Sequence, residues 1–412
     1  MSLMVCFLTR NEEANIARAL HSVIGVADEV LVVDTASQDR TAQIAADLGV
    51  KVLQYQWEDD FAAGRNFTIQ QATGDWILWL NADEELLSEG RGGHAHLKSC
   101  LALPGAFGYF VQIQNLVQPG RLDDYVQTTD LRLFRRRPDL SFIGRLHPHF
   151  PPDFVTTIQR EGKQVLPCNV TLRSYAGLVE QTEPKLRWIL RLLELELRDR
   201  PGQLHYLIEY GRTLLHVADP KGHEVLAEAV EQILPARAAP QAPAMKVQVL
   251  LEYLMAVPPN LSKSRLSQEE ALELALRWFP ASPPLLFKCA QYCFQNGAMR
   301  KAADILTRLV QLGKAGNYDR SQRFNPGIVG DDALVNLAAC YRQLGDLDQA
   351  VQCYRLLLHT SQFHARAIEG LAAIEQLRRP GSPASIAIAG GTGPSSAPSA
   401  PTASPGRKPG KK

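Results

Sequence analysis

The sequence has no long apolar run and no organised set of cysteines. None of its 412 residues belongs to an uninterrupted apolar stretch near the ~18–20 residues of a membrane helix. The segment Met1 to Thr9 lacks the basic region and cleavage site of a secretory signal. The seven cysteines form no C-x-x-C pair, which indicates free thiols in a reducing compartment. We therefore predict a cytoplasmic protein without a transmembrane segment, with peripheral attachment to the inner membrane as the alternative location.

Several common catalytic motifs are also missing. The chain has no G-x-S-x-G, no P-loop followed by a helix, and no G-x-G-x-x-G after its first strand. This excludes ordinary serine hydrolases, Walker ATPases and nicotinamide dehydrogenases. No Cys/His cluster has zinc spacing. The net charge of +1 supplies no general attraction to nucleic acid, so we expect no nucleic-acid partner.

What is present divides the chain into three parts. Short buried-strand patterns alternate with helical patterns over the first 90 residues, which predicts βαβ units, and alternating segments after them predict antiparallel strands. The later chain is helical, and its end is rich in Pro, Gly, Ser and Ala. We predict an α/β domain at 1–178, an all-α domain at 183–378 and a disordered basic tail at 379–412.

The all-α part contains two related windows. Small and large residues recur at an offset of 48, with spacing like that of the tetratricopeptide repeat: Ala290, Gly297, Ala302, Leu306 and Leu309 match Ala338, Gly345, Ala350, Tyr354 and Leu357. The offset exceeds the usual repeat length of about 34 residues. We assign the excess to a loop at 314–330, and we predict a weaker third copy around 204–234.

The strand Trp76 to Leu80 ends in acid, with Asp83, Glu84 and Glu85 following Asn81 and Ala82. Ligands of open α/β sheets bind at the carboxyl ends of strands. We predict that Asp83 holds a divalent cation together with the diphosphate of a nucleotide, since Mg²⁺ and Mn²⁺ favour carboxylates and phosphate oxygens. The alternative is that the acids form the first turn of a helix, a role that we assign to Glu84 and Glu85.

Other candidates are less specific. Asp34 ends the second strand and could accept hydrogen bonds from a base or ribose, or it could act only in the turn. Arg65 could bind phosphate through its guanidinium fork, or it could be a solvated surface residue. His147 and His149 could bind metal, although such a pair is weak evidence.

Four segments together resemble the family 2 glycosyltransferases of the GT-A fold. In order they are Leu8-Thr9-Arg10-Asn11-Glu12-Glu13-Ala14-Asn15-Ile16, Val32-Val33-Asp34-Thr35-Ala36-Ser37-Gln38-Asp39-Arg40-Thr41, Asp60-Phe61-Ala62-Ala63-Gly64-Arg65-Asn66 and Gly74-Asp75-Trp76-Ile77-Leu78-Trp79-Leu80-Asn81-Ala82-Asp83-Glu84. The resemblance continues more loosely through Leu131–Arg135 and Gly144–His147. A C-terminal tetratricopeptide array after this domain looks like a common bacterial arrangement.

The resemblance implies a GT-A domain with a Rossmann-like mixed sheet and a nucleotide-sugar site. The implied site residues are Thr9, Asn11, Glu12, Asp34, Arg65, Asn81, Ala82 and Asp83. Asn81 replaces the first acid of the family's D-x-D motif, whose last acid, here Asp83, binds Mn²⁺ or Mg²⁺. Pro148 stands where relatives often have a Glu after the histidine, and His147 is a second implied metal ligand.

The implied reaction is inverting sugar transfer to a glycan, a lipid-linked or a protein acceptor, as in cell envelope biogenesis. Its candidate bases are Asp123, Asp124, Asp130 and His147. The helical repeats could bind the acceptor or a protein partner. The alternative function is a catalytically weak GT-A scaffold that only binds.

Overall fold

The computed structural model describes residues 1–87, 94–176, 182–244, 246–320, 322, 324–359 and 363–378. The predicted tail at 379–412 lies outside the described residues. The N-terminal part contains eight strands: β1 (Leu3–Thr9), β2 (Glu29–Asp34), β3 (Lys51–Gln54), β4 (Trp76–Leu80), β5 (Glu84–Leu86), β6 (Ala106–Leu116), β7 (Tyr125–Arg135) and β8 (Gln164–Ser174). Five helices accompany them: α1 (Ile16–Val23), α2 (Thr41–Asp47), α3 (Phe61–Gln70), α4 (His94–Leu101) and α5 (Pro152–Arg160).

The strands form one mixed sheet in the order β3-β2-β1-β4-β7-β6-β8-β5. Strands β1 to β4 are mutually parallel where they pair, as their helical crossovers require. Strand β7 pairs antiparallel with both β4 and β6. This arrangement confirms the predicted fold class, an α/β domain with a mixed sheet followed by helices.

Strand β4 lies in the interior, and all five of its residues are buried. Alternate residues of β1 belong to different cores: Val5 and Phe7 pack on one face of the sheet, and Met4 and Cys6 pack on the other. Each large apolar side chain that is fully buried contributes about 1.5–3 kcal/mol. The continuous apolar runs seen in the sequence therefore reflect strands that are covered on both faces.

One prediction about secondary structure is wrong. Glu84 and Glu85 do not start a helix; they start β5, which pairs antiparallel with β8 through Glu84↔Ser174, Glu85↔Arg173 and Leu86↔Leu172. The local run of acids is compatible with a helix N-terminus, but pairing with a strand almost ninety residues later in the sequence determines the outcome.

The remaining helices form the all-α part: α6 (Glu183–Asp199), α7 (Leu204–His216), α8 (Lys221–Ile233), α9 (Val247–Ala256), α10 (Gln268–Trp278), α11 (Pro283–Gln295), α12 (Met299–Ala315), α13 (Asp331–Gln343), α14 (Leu347–Leu357) and α15 (His364–Arg378). The two predicted repeat windows coincide with the helix pairs α11–α12 and α13–α14. Their matching glycines, Gly297 and Gly345, both have φ +75° in the connecting turns. None of the helices in the described ranges is both long and apolar enough to cross a membrane.

Candidate active site

The parallel strands β1, β2 and β4 end at the same edge of the sheet. Thr9 at the end of β1 is in register with Asp34 at the end of β2, and the Thr9 hydroxyl lies 3.5 Å from the Asp34 carboxylate. Asn81 follows β4 directly. The structure therefore brings together the sequence-predicted residues Thr9, Asp34 and the Asn81–Asp83 segment at one edge.

The loops after β1 and β2 interlock at this edge. The Asn11 backbone N–H donates to the Ser37 hydroxyl at 2.8 Å. The Asn11 side-chain oxygen accepts from the Gln38 backbone N–H at 2.7 Å. The Glu12 N–H donates to the Thr41 hydroxyl at 2.7 Å. Asn11 has a φ of +54°, which these bonds hold in place. The result is a rim of defined shape beside the strand ends.

Asp34 is almost fully buried, with an exposed fraction of 1%. One carboxylate oxygen accepts from the Ser37 N–H at 2.9 Å, and the other accepts from the Ser37 hydroxyl. These bonds match the turn role that the sequence left open. The role of Asp34 in base recognition stays a prediction.

The acids after β4 have separate environments. Glu84 is buried, and its two carboxylate oxygens form a bidentate pair with Arg132 of β7 at 2.9 and 3.1 Å. Asp83 is half-buried, and within the described residues no side chain pairs with its carboxylate. Burial raises the pKa of Asp83, and the charge of Glu12 raises it further. Among the residues that the structure describes, the Asp83 carboxylate thus has no ion-pair partner.

Asn81 is exposed, and its contacts explain why an amide is compatible with this position. The Asn81 backbone N–H donates to Glu84 Oε2 at 2.8 Å, and its side-chain amide donates to Glu84 Oε1 at 3.3 Å. Ala82 beside it is buried. A carboxylate in place of the amide would bring two like charges together.

Arg132 connects Glu84 to Asp130. Its Nε donates to Asp130 Oδ2 at 2.8 Å, and its side chain is only 7% exposed, whereas that of Asp130 is 53% exposed. Burial alone would lower the pKa of Arg132, but the charges of Glu84 and Asp130 raise it. Arg132 therefore holds the exposed carboxylate of Asp130 close to the buried Glu84. No sequence pattern indicated this role of Arg132, although the segment Leu131–Arg135 belongs to the looser part of the family resemblance.

Arg65 lies on α3 with its guanidinium over two aromatic rings. Its Cζ is 4.6 Å from the Trp79 ring centroid and 5.3 Å from that of Phe142. Burial, and then the charge of Arg132, lowers the pKa of Arg65 to about 10. Among the described residues no carboxylate forms an ion pair with Arg65. A half-buried arginine in this state can receive an anion such as a phosphate.

Two other predicted residues lie elsewhere. Asp124 is in the turn between β6 and β7, where its backbone bonds Arg121 and Val117. Asp124 lies six positions before Asp130, a distance of about 20 Å along an extended chain. His147 hydrogen-bonds Glu209 of α7 at 2.6 Å, beside Tyr206. Asp123 is in the same turn as Asp124 and pairs with Arg121 there. Of the four candidate bases, the structure therefore brings Asp130 alone beside the Glu84–Arg132 pair.

A divalent cation fits the chemistry of Asp83, because a carboxylate without a partner at the strand edge leaves its oxygens available. Within the described ranges, no three His, Cys, Asp or Glu side chains are grouped as a complete metal site. The remaining ligands would then come from phosphate oxygens and water, as Mg²⁺ and Mn²⁺ commonly allow.

Lys185 on α6 is a further basic group of this site that sequence reasoning missed. It is exposed, and its charge opposes the rise in the pKa of Asp83. It belongs to the helical part of the chain, and no motif in the sequence links it to Asp83.

The chain is similar to known proteins in both of its parts. The glycosyl transferase family 2 model matches residues 4–90. A TPR repeat-containing protein of Synechococcus elongatus is 40% identical over 221 residues, which cover 53% of this chain and 53% of that protein. A glycosyltransferase of Rickettsia typhi is 45% identical over 82 residues, which cover 20% of this chain and 28% of that protein. The chain thus spans about half of the first relative and under a third of the second.

Among the matched solved structures is Staphylococcus aureus TarS 1-349 in complex with UDP-GlcNAc. It is 16% identical, with a TM-score of 0.36, and the match covers 79% of this chain and 98% of that one. The family match coincides with β1 to β5 and their helices, which build the site described above. The chain therefore carries a family 2 glycosyltransferase domain followed by C-terminal helical repeats.

Proposed function

We propose that the protein transfers a hexose-type sugar from a nucleotide-sugar donor to an acceptor hydroxyl, with inversion at the anomeric carbon. The observation that carries this proposal is the pair of unpartnered charges at the sheet edge. Asp83 is a half-buried carboxylate without an ion pair, and Arg65 is a half-buried guanidinium without one, within the described residues. A diphosphate and its cation would satisfy both.

In this mechanism Asp83 would hold Mn²⁺ or Mg²⁺, which when bound would supply charge stabilisation for the leaving diphosphate. Arg65 and Lys185 provide further positive charge on that side. The loops that contain Thr9, Asn11 and Glu12 would contact the nucleoside. His147 remains a possible second ligand only if its bond to Glu209 is exchanged for the cation.

Asp130 is the base that the geometry supports best. Its carboxylate is exposed, and Arg132 holds it in one position. Asp130 would take the proton of the acceptor hydroxyl while the acceptor oxygen attacks the anomeric carbon. The bond from that carbon to the diphosphate oxygen breaks on the opposite face. The acceptor could be a glycan, a lipid-linked glycan or a protein. We propose that the helical repeats, and not the residues at the strand edge, determine which acceptor binds. The repeats could bind the acceptor itself or a protein partner.

The proposal is tested with purified full-length protein and a panel of UDP-, GDP- and dTDP-sugars, with and without Mn²⁺. We expect one donor class to bind and to release nucleoside diphosphate when the cation is present. Binding of a donor without turnover, with any acceptor class, would favour the scaffold alternative. If the protein neither binds nor cleaves any of these donors, the proposed function is contradicted.

The variant Asp83→Asn sharpens this test. Removing the carboxylate that would hold the cation should lower metal-dependent turnover by about 100-fold or more, while the circular dichroism spectrum stays unchanged. The control is Asp75→Asn, because Asp75 precedes β4 at its opposite end and bonds Ser2 there. Full activity in Asp83→Asn would remove this residue from the site.

A further inference from the structure

A segment of the helical part returns to the sheet of the first domain. After α12, the Gln127 N–H donates to the Phe324 carbonyl at 2.9 Å, and the Phe324 N–H donates to the Gln127 carbonyl at 3.2 Å. The Thr129 N–H and the Thr129 hydroxyl both donate to the Arg320 carbonyl at 2.9 Å. We call the described residues 318–320, 322 and 324 the return segment. It bonds β7 in an antiparallel manner.

The position of these bonds follows from the sheet. Strand β4 pairs with β7 at Leu133 to Arg135, and β4 ends at Leu80, two residues beyond the paired stretch. The outer part of β7 continues past that end, with β6 on its other side. Backbone groups on the β4 side of this outer part need other partners. The return segment supplies them at Gln127 and Thr129.

The return segment is fixed to the helical part as well. Phe324 is 4% exposed, and its ring centroid is 5.7 Å from that of Tyr318. The Asp319 N–H donates to the Ala281 carbonyl at 2.8 Å. The turn that follows packs tightly on α12, since a Cβ at Gly313 would lie 1.8 Å from the Val329 oxygen. Through these bonds, the return segment connects the repeats with β7.

We infer that the return segment is a positioning element for the transfer reaction, which rests on the proposed function. It bonds Thr129, and the next residue is Asp130, the candidate base. Asp130 is joined through Arg132 to Glu84, which is adjacent to Asp83. Holding the outer part of β7 therefore holds the base relative to the cation ligand. The helical repeats thus help to form the acceptor side of the site, and they could also bind a partner.

Phe324→Ala tests the inference, with Phe363→Ala as the matched control. Phe363 is 7% exposed, belongs to the core of the helical part and immediately precedes α15. Amide hydrogen exchange of full-length protein is measured for peptides covering 125–131. We expect exchange there to become about tenfold faster in Phe324→Ala, since the bonds at Gln127 and Thr129 open. Phe363→Ala should leave it unchanged. Equal exchange in both variants would overturn the inference.

Thr129→Val is a second variant that keeps the fold and the side-chain shape. It removes the hydroxyl bond to Arg320 and keeps the backbone bond to the same carbonyl. We therefore expect the amide at position 129 to exchange faster than in the wild type, by a smaller factor than in Phe324→Ala, without a change in the unfolding midpoint. Unchanged exchange at that amide would count against the connection.

Turnover gives an independent readout. In Phe324→Ala we expect kcat for transfer to fall about tenfold while donor Kd stays at the wild-type value, because Arg65 and Asp83 are not bonded to the segment. Loss of donor affinity with unchanged kcat would overturn the positioning role. If wild-type protein shows no transfer with any donor, the proposed function fails, whereas the exchange measurements still report whether the segment holds β7.

Discussion

At the scale of single residues, neighbouring acids in one short segment have different roles. Asp83 has no ion-pair partner within the described residues, whereas the next residue, Glu84, is buried in a bidentate pair with Arg132. A buried ion pair adds little net stability, but removing one partner leaves an uncompensated charge. The Glu84–Arg132 pair therefore stabilises the structure around the site. Asp83 and Asp130 are the acids of this segment and of β7 that remain accessible.

Glu84→Gln should test this support. Arg132 would lose its main counter-charge in a buried position, so we expect the free energy of unfolding to fall by about 3–5 kcal/mol. Urea unfolding followed by circular dichroism measures the change. Glu183→Gln is the control, because Glu183 pairs with Arg187 on an exposed helix face and should cost below about 0.5 kcal/mol. Equal effects of the two substitutions would contradict the buried role of Glu84.

At the scale of elements, the loop between β7 and α5 joins the two parts of the chain. Gly144 has φ +102°, and a Cβ there would lie 2.3 Å from the Tyr206 hydroxyl of α7 and 2.7 Å from the His147 carbonyl. The Arg145 N–H donates to the buried carboxylate of Glu196 on α6 at 2.8 Å. The loop can follow this path only because the glycine accepts both the backbone angle and the close approach.

Gly144→Ala should loosen this junction. The positive φ alone costs an alanine about 1–2 kcal/mol, and the contacts with Tyr206 and His147 add to it. Gly25→Ala is the control, since Gly25 has φ +91° and nothing within 4 Å of an added Cβ. We expect a clearly larger drop in the unfolding midpoint for Gly144→Ala, measured by differential scanning fluorimetry. A drop no larger than that of Gly25→Ala would show that the loop adapts without cost.

The repeat elements were readable from sequence because their signals are local. Gly297 and Gly345 occupy left-handed turns between paired helices, and the apolar residues around them are buried at helical spacing. The excess in the offset of 48 was assigned to a loop at 314–330. Within that range the structure has the return segment and a 3₁₀ turn at Pro326–Val329. The sequence predicted the position of the loop in the chain, but it did not predict that the loop contacts β7.

At the scale of the whole molecule, titratable groups gather between the loop and α7. The ring of His205 lies 5.6 Å from that of His149 and 4.1 Å from that of Tyr206. Burial lowers the pKa of His205 to about 4, and the charges of His149, His147 and Lys246 contribute to the decrease while Glu209 opposes it. His205 is therefore neutral in the folded protein at pH 5 to 7.

Folding stability should accordingly depend on pH. The unfolded chain takes up a proton on His205 as the pH falls through about 6.5, whereas the folded chain resists it until about pH 4. The unfolded state then binds more protons, so the free energy of unfolding decreases from pH 7 to pH 5. His205→Gln should reduce this slope in urea unfolding. His216→Gln, on the exposed end of the same helix, should keep it. An unchanged slope in His205→Gln would contradict the assignment.

The sequence by itself determined the order of elements, the buried parallel strands with acid at their ends, and the helical repeats. These features depend on local hydrophobic pattern and turn chemistry, which short segments express without help from the rest of the chain. The tertiary structure alone decided that Glu84 and not Asp83 pairs with Arg132. It also decided the positions of His147 and Asp124 and the hydrogen bonds between the helical part and β7. Those outcomes rest on contacts between distant residues, 48 positions apart for Glu84 and Arg132 and 191 for Thr129 and Arg320. Local patterns carry no information about such pairs, because the free energy that selects them arises only when the folded surfaces meet.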